Sequence, residues 1–175
     1  IDNPPKVYLL HGDLTQEELN YLYNHPKVKA HISFTKGEGF GRPLLEASLS
    51  AKPVIASNWS GQVDFLKHSV MLPGELQKVD SSAVWKDVII PESQWFYVNH
   101  IYASKVMKDV FKNYKNYLPD AKKQAAFAAK NFSSKAMKEK FSEIMDKYIV
   151  EEVEVKLPKL KKSELKLPKL KRVEA

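Results

Sequence analysis

Between Thr35 and Glu46 the chain reads Thr-Lys-Gly-Glu-Gly-Phe-Gly-Arg-Pro-Leu-Leu-Glu, combining a pliable backbone, two cations and two carboxylates. Gly37, Gly39 and Gly41 permit sharp turns and a close approach of backbone to a ligand. A helix opening near Arg42 or Pro43 would turn the free amides of its first turn toward an anion such as a phosphate. Glu38 and Glu46 are 46 − 38 = 8 positions apart, the first in the loop and the second in the opening turn of the helix. Both are expected to line one pocket and to accept hydrogen bonds from vicinal hydroxyls, as in a ribose or a hexose. Each part also has a plainer reading. Glu46 can simply favour the helix N-terminus through the dipole, a Gly-x-Gly loop can be only a tight turn, and Lys36 and Arg42 read equally as phosphate contacts or solvated charges.

The elements that must position this loop alternate. Lys6 to Leu10 is a short apolar run with the length of a buried strand, and Asp13 or Thr15 can cap a following helix with Leu19, Leu22 and Tyr23 as its apolar stripe. Lys29 to Phe34 predicts a second strand, Pro43 to Leu49 a helix, Pro53 to Ser57 a third strand, Gly61 to Leu66 a short helix and Val70 to Leu72 a fourth strand. That order implies right-handed crossovers and a doubly wound α/β unit with a parallel sheet, and it places the glycine loop at the carboxyl end of a strand, where such sheets bind ligands. Gly74 to Val98 has no clear period beyond a possible short strand at Val88 to Ile90, yet a stretch this long contains ordered structure. The remainder is helical. Ile101, Met107, Val110, Phe111 and Tyr114 share a face, Ala121 to Lys130 forms helix, and Ser133 or Ser134 caps a last helix with Met137, Phe141, Ile144, Met145 and Tyr148 expected inward as core.

The 175 residues make one domain's worth of chain, and 43% hydrophobic residues suffice for a core. Absence of cysteine excludes disulfides, thiolate metal sites and cysteine nucleophiles. His11 and His31 read as structural, no HxxxH or acidic cluster marks a metal site, and neither a metal nor another cofactor is expected. No apolar run reaches the ~20 residues of a membrane span and no signal-peptide pattern opens the chain, so a cytoplasmic location is expected. Much of the net charge of +7 sits at the end, where Lys156-Leu157-Pro158-Lys159-Leu160-Lys161 returns as Lys166-Leu167-Pro168-Lys169-Leu170-Lys171 after 166 − 156 = 10 residues. The chain therefore divides into a domain at 1–150 and an extended repeat tail at 151–175. Without an arginine-rich stripe or a run of stacking aromatics, stable nucleic-acid binding is not expected.

Glu38-Gly39-Phe40-Gly41, Pro43-Leu44-Leu45-Glu46-Ala47, Lys52-Pro53-Val54-Ile55-Ala56-Ser57 and Gly61 together resemble the donor-binding core of retaining group 1 glycosyltransferases of the GT-B fold. Val7 to Leu14, with Glu17 and Leu19, is similar to that family's strand, glycine turn and helix, and the tail with the Trp-rich stretch resembles phage-type members. The resemblance implies a Rossmann-like C-terminal half of a GT-B enzyme, a nucleotide-sugar donor, hexosyltransferase-like chemistry and an acceptor-binding domain preceding Ile1. It implies Glu38 as the catalytic-site carboxylate near the sugar hydroxyls, and Gly39, Phe40, Gly41, Arg42 and Lys36 around sugar and diphosphate. Glu46 would hold the ribose hydroxyls and Leu14 would border the base. Gln62, Val63 and Asp64 replace the family's usual glutamate near Gly61, and a fragment lacking the upstream half is expected to be inactive alone. Two other classes stand beside this reading: a non-catalytic nucleotide or sugar-binding module, and a phage enzyme that glucosylates DNA.

Overall fold

A computed structural model describes residues 4–149. The repeat tail at 151–175 lies outside the described residues.

Three short parallel strands form the main sheet: β1 (His31–Ser33), β2 (Val54–Ser57) and β3 (Val70–Leu72), in the order β1-β2-β3. The register sets Ile32 beside Ile55 and Ile55 beside Val70. Because alternate residues of a strand face opposite ways, β2 sends Ile55 to one layer and Val54 and Ala56 to the other, and all four of its residues are buried. Helix α2 (Arg42–Ser48) covers the Val54 and Ala56 face, where Leu44, Phe65 and Leu66 complete the packing. Helix α3 (His100–Lys112) covers the other, with Ala103 and Val110 against Ile55 and Leu72. Helices on both faces of a parallel sheet make this a Rossmann-like α/β domain.

Helix α1 (Gln16–Asn24) precedes the sheet and α4 (Tyr114–Asn131) and α5 (Ser134–Tyr148) follow α3. Thr15 caps α1 in a reciprocal capping box with Glu18, Asn99 caps α3, and Ser133 caps α5. Gln124 on α4 is buried and bridges two loop groups, donating to the Phe65 carbonyl at 2.6 Å and accepting from the His68 amide at 2.8 Å.

Four expectations are corrected. Lys6 to Leu10 forms no strand: Val7, Tyr8 and Leu9 are each more than four-fifths exposed, because no described residue pairs with them. Gly61 to Leu66 closes only a 3₁₀ turn over Gly61–Asp64. The core role of the last helix fails, since α5 has no buried residue and Phe141, Ile144 and Tyr148 stand in solvent. Of the predicted α3 face, Val110 is buried and Met107 partly so, whereas Ile101 and Phe111 are exposed, and Phe111 borders an apolar groove of about 430 Å³ with Ile32, Met107 and Tyr114 beside the outer edge of β1.

The stretch without a clear period is an antiparallel hairpin, β4 (Gly74–Lys78) with β5 (Gln94–Val98). Val88 to Ile90 contributes a single bridge, Trp85 with Ile89. The hairpin follows β3 directly, so it rises over the carboxyl ends of the parallel strands. There the Phe96 amide donates to the Lys36 carbonyl at 3.1 Å, and Trp59 stacks on Phe96 at 5.8 Å between ring centroids.

Candidate functional site

Three segments meet at the carboxyl edge of the sheet: residues 34–41 after β1, residues 58–61 after β2, and the β4–β5 hairpin after β3. The first carries the predicted site residues and the second staples it in place. Ser60 Oγ donates to the Glu38 carbonyl at 2.7 Å and accepts from the Glu38 amide at 3.2 Å, while the Gly61 amide donates to the same carbonyl at 3.0 Å. Ser60 is held at φ 70°, a conformation that non-glycine residues adopt at a cost and that occurs where surrounding structure enforces it. Below the staple, Gln62 is fully buried and donates to the Ser57 carbonyl and hydroxyl, and Ser57 Oγ donates to the Thr35 carbonyl at 2.9 Å. Gln62 is thus a brace beneath the loop.

The loop ends on Gly41, at φ 88°, which turns the chain into α2. The helix start differs from expectation. Pro43 has no amide hydrogen, and the Leu44 and Leu45 amides both donate to the Gly41 carbonyl, so the first turn of α2 spends its own donors. Just ahead of it, the amides of Gly39, Phe40, Gly41 and Arg42 donate to no protein acceptor among the described residues, as do those of Thr35, Lys36 and Gly37 earlier in the loop. Successive unengaged amides of this kind can donate to an anion without a long helix behind them. Two buried polar atoms beneath the loop, Thr35 Oγ1 and Gln62 Oε1, have no partner among the described residues either.

Glu38 and Glu46, expected to line one pocket, border adjoining depressions. Glu38 lies in one of about 330 Å³ with Tyr23, His31, Ser33 and Gly41. Glu46 lies in one of about 270 Å³ between α1 and α2, also bordered by Tyr23. Tyr23 is the shared wall, and burial followed by the Glu46 charge raises its pKa. On α2, Arg42 Nε donates to Glu46 Oε1 at 2.6 Å. The i, i+4 spacing orients the carboxylate and leaves Oε2 without a protein donor among the described residues. The Lys36 ammonium sits 4.1 Å from the Trp95 ring centroid and 4.8 Å from that of Tyr97, engaged with the hairpin. Leu14 is partly exposed in the segment that leads into α1.

Tyr23, expected only in the apolar stripe of α1, and His31, expected as structural, stand at the site, as do Ser60 and the hairpin aromatics, for which the sequence carried no expectation. His31 borders the Glu38 depression, with Nε2 3.2 Å from Ser50 Oγ and its ring edge-on to Tyr23. Burial and then the Lys52 charge lower its pKa, which keeps the imidazole neutral near pH 7. Lys52, in turn, donates to the Tyr23 and His25 carbonyls at 2.6 and 2.7 Å and closes the end of α1. No local signal marks these residues, since each is brought to the site by tertiary packing alone. Among the described residues no cluster of His, Asp or Glu could hold a metal ion, and no helix is long and apolar enough to cross a membrane.

The family model described as glycosyl transferases group 1 matches residues 3–90, which are 88 of the 175 residues and include the loop, its staple and Glu46. No curated protein and no solved structure matches the chain.

Proposed function

The chain belongs to the group 1 glycosyl transferases, and on that premise we propose that the edge of the sheet from Lys36 to Glu46 holds a nucleotide-sugar donor for transfer with retention of configuration in a GT-B enzyme. The observation that carries this reading is the run of unengaged amides from Gly39 to Arg42 at the carboxyl end of β1. Amides without a protein acceptor are available to the diphosphate, and they stabilise the negative charge that builds on it as the bond to the sugar breaks. Glu38, immediately before them, accepts from the sugar hydroxyls. Glu46 accepts from a ribose hydroxyl through Oε2, with Arg42 holding the carboxylate in place. An acceptor oxygen bonds to the anomeric carbon as the carbon–oxygen bond to diphosphate breaks. The hydroxyl proton passes to the departing diphosphate, which keeps the bonding pair. The acceptor is held by the β4–β5 side of this edge and by a second domain across the cleft, and the catalyst works in the cytoplasm without a metal.

Calorimetry and amide NMR with UDP and GDP test the reading. Nucleotide is expected to shift the Gly39 to Arg42 amides, and Glu46→Ala is expected to weaken binding roughly tenfold or more, the usual effect of one charge-assisted hydrogen bond. Binding that leaves those amides unmoved, or that survives Glu46→Ala unchanged, places the nucleotide elsewhere.

A further inference from the structure

The hairpin over the strand ends presents a face that the core does not use. Its register pairs Glu75 with Tyr97 and Gln77 with Trp95, so these four side chains share one face. Phe96 points the other way, into the core. Lys36 adds its ammonium to the outward face, over both rings. Gln77 Nε2 donates to Glu75 Oε1 at 2.8 Å, which fixes the carboxylate and leaves Glu75 Oε2 and Gln77 Oε1 free to accept. Glu75, Gln77 and Tyr97 line an open cleft of about 440 Å³ with Asn99 and His100, within the roughly 300–1,000 Å³ typical of small-ligand sites.

The composition of this face selects its ligand. Aromatic rings receive the apolar C–H face of a pyranose, and the adjoining carboxylate, amide and ammonium groups match its ring of hydroxyls. Directly paired cross-strand residues stand about 5 Å apart, close to the width of one sugar ring, so an aromatic and its polar partner can engage the same unit. An anionic ligand would meet the Glu75 carboxylate, and a purely apolar one would strand Glu75 and Gln77 without water. We propose that the outward face of β4–β5, built on Trp95, Tyr97, Glu75 and Gln77, is a saccharide-binding subsite, and that it seats a carbohydrate acceptor beside the Lys36 to Arg42 loop. The acceptor role rests on the donor reading given above. The binding of a saccharide does not.

The test uses the whole 175-residue chain, labelled for NMR and titrated separately with maltohexaose, cellohexaose and chitohexaose. At least one is expected to shift the Trp95 indole signal together with the Gln77 and Tyr97 amides. Trp95→Ala should weaken that binding roughly five- to tenfold, the scale of losing one aromatic contact. Glu75→Ala, on a strand exposed at every position, should weaken it without affecting the fold. Trp85→Ala, at an exposed tryptophan outside the paired strands and the lining of this cleft, should leave it intact. UDP and GDP titrations of the same samples read the donor loop independently. Saccharide shifts at Trp95 without nucleotide shifts at Gly39 to Arg42 would sustain the sugar site and sink the donor reading. Nucleotide shifts with no saccharide response at Trp95, or a saccharide response equally lost in Trp85→Ala, would overturn the subsite.

Discussion

Gly61→Ala is a substitution of one methyl group whose consequence should appear on a different segment of the chain. An alanine Cβ at this position would stand 2.3 Å from the Gly39 carbonyl oxygen and 2.7 Å from both Gly39 C and Phe40 Cα. Such contacts essentially never fall below 3.0 Å, so the carbonyl must withdraw by at least 3.0 − 2.3 = 0.7 Å. The backbone of residue 61 offers no relief through its own torsions, because its φ is one that alanine accepts, and the whole effect falls on the neighbour. Withdrawal stretches the Gly61 and Ser60 bonds to the Glu38 carbonyl, 3.0 and 2.7 Å long, and shifts the amides that follow. Overpacking of this kind costs about 1 to 3 kcal/mol, or roughly 3 to 10 °C in a protein of this size. A displacement near 1 Å costs on the order of a hundredfold where geometry controls chemistry. Thermal unfolding and a UDP titration read by amide NMR should show both effects, whereas Gly39→Ala, with nothing within 4 Å of its added carbon, should leave the midpoint nearly unchanged. Were Gly61→Ala to keep its 39–42 amide signals and its nucleotide affinity, the claim that residues 58–61 set the loop would be refuted.

Two further outcomes follow from buried polar groups. Gln124→Leu removes both bonds that tie α4 to the Phe65–His68 loop, leaving a buried carbonyl unpaired at about 1 to 3 kcal/mol, and chemical denaturation should show the loss in midpoint with an unchanged slope. His31 titrates in the folded chain below its ordinary value because burial disfavours the imidazolium. Its contribution is therefore fully present above the unfolded value of about 6.5 and is lost as pH falls from there toward the depressed native value, so His31→Gln should flatten stability against pH in that window.

The sheet was legible because its middle strand is buried on both faces and its neighbours are at least half covered around their ends. Val54 to Ser57 and Val70 to Leu72 read as apolar runs for the same reason that they pack, and the glycine loop stood out because its neighbours framed it. The hairpin escaped notice since β4 is Gly-Glu-Leu-Gln-Lys, a polar strand exposed along its length and held by its partner alone. Lys6 to Leu10 misled for the converse reason: an apolar run with strand character stays a strand only where another backbone receives it. In α5, Phe141 and Ile144 keep helical spacing, yet periodicity says only that residues share a face and is silent on whether anything covers it. The parting of Glu38 from Glu46 followed from α1, whose Tyr23 stands between the two depressions, a long-range placement with no mark at either glutamate.

The outer edge of β1, which has no partner among the described residues, has a colloidal consequence. It offers backbone groups and the exposed Ile32 beside an apolar groove, while Val7 to Leu10 of the same chain is an exposed apolar run with no partner among the described residues. One molecule so carries both a template and an apolar segment able to pair with it, and contacts of that head-to-tail kind propagate instead of closing. The opposing force is electrostatic: lysines at 6, 27 and 29 flank the two segments, and a net charge of +7 keeps copies apart. Screening shortens the reach of that repulsion to about 3 Å at 1 M salt. Concentrated salt, which usually keeps basic proteins in solution by masking their attraction to anions, here removes the barrier to aggregation.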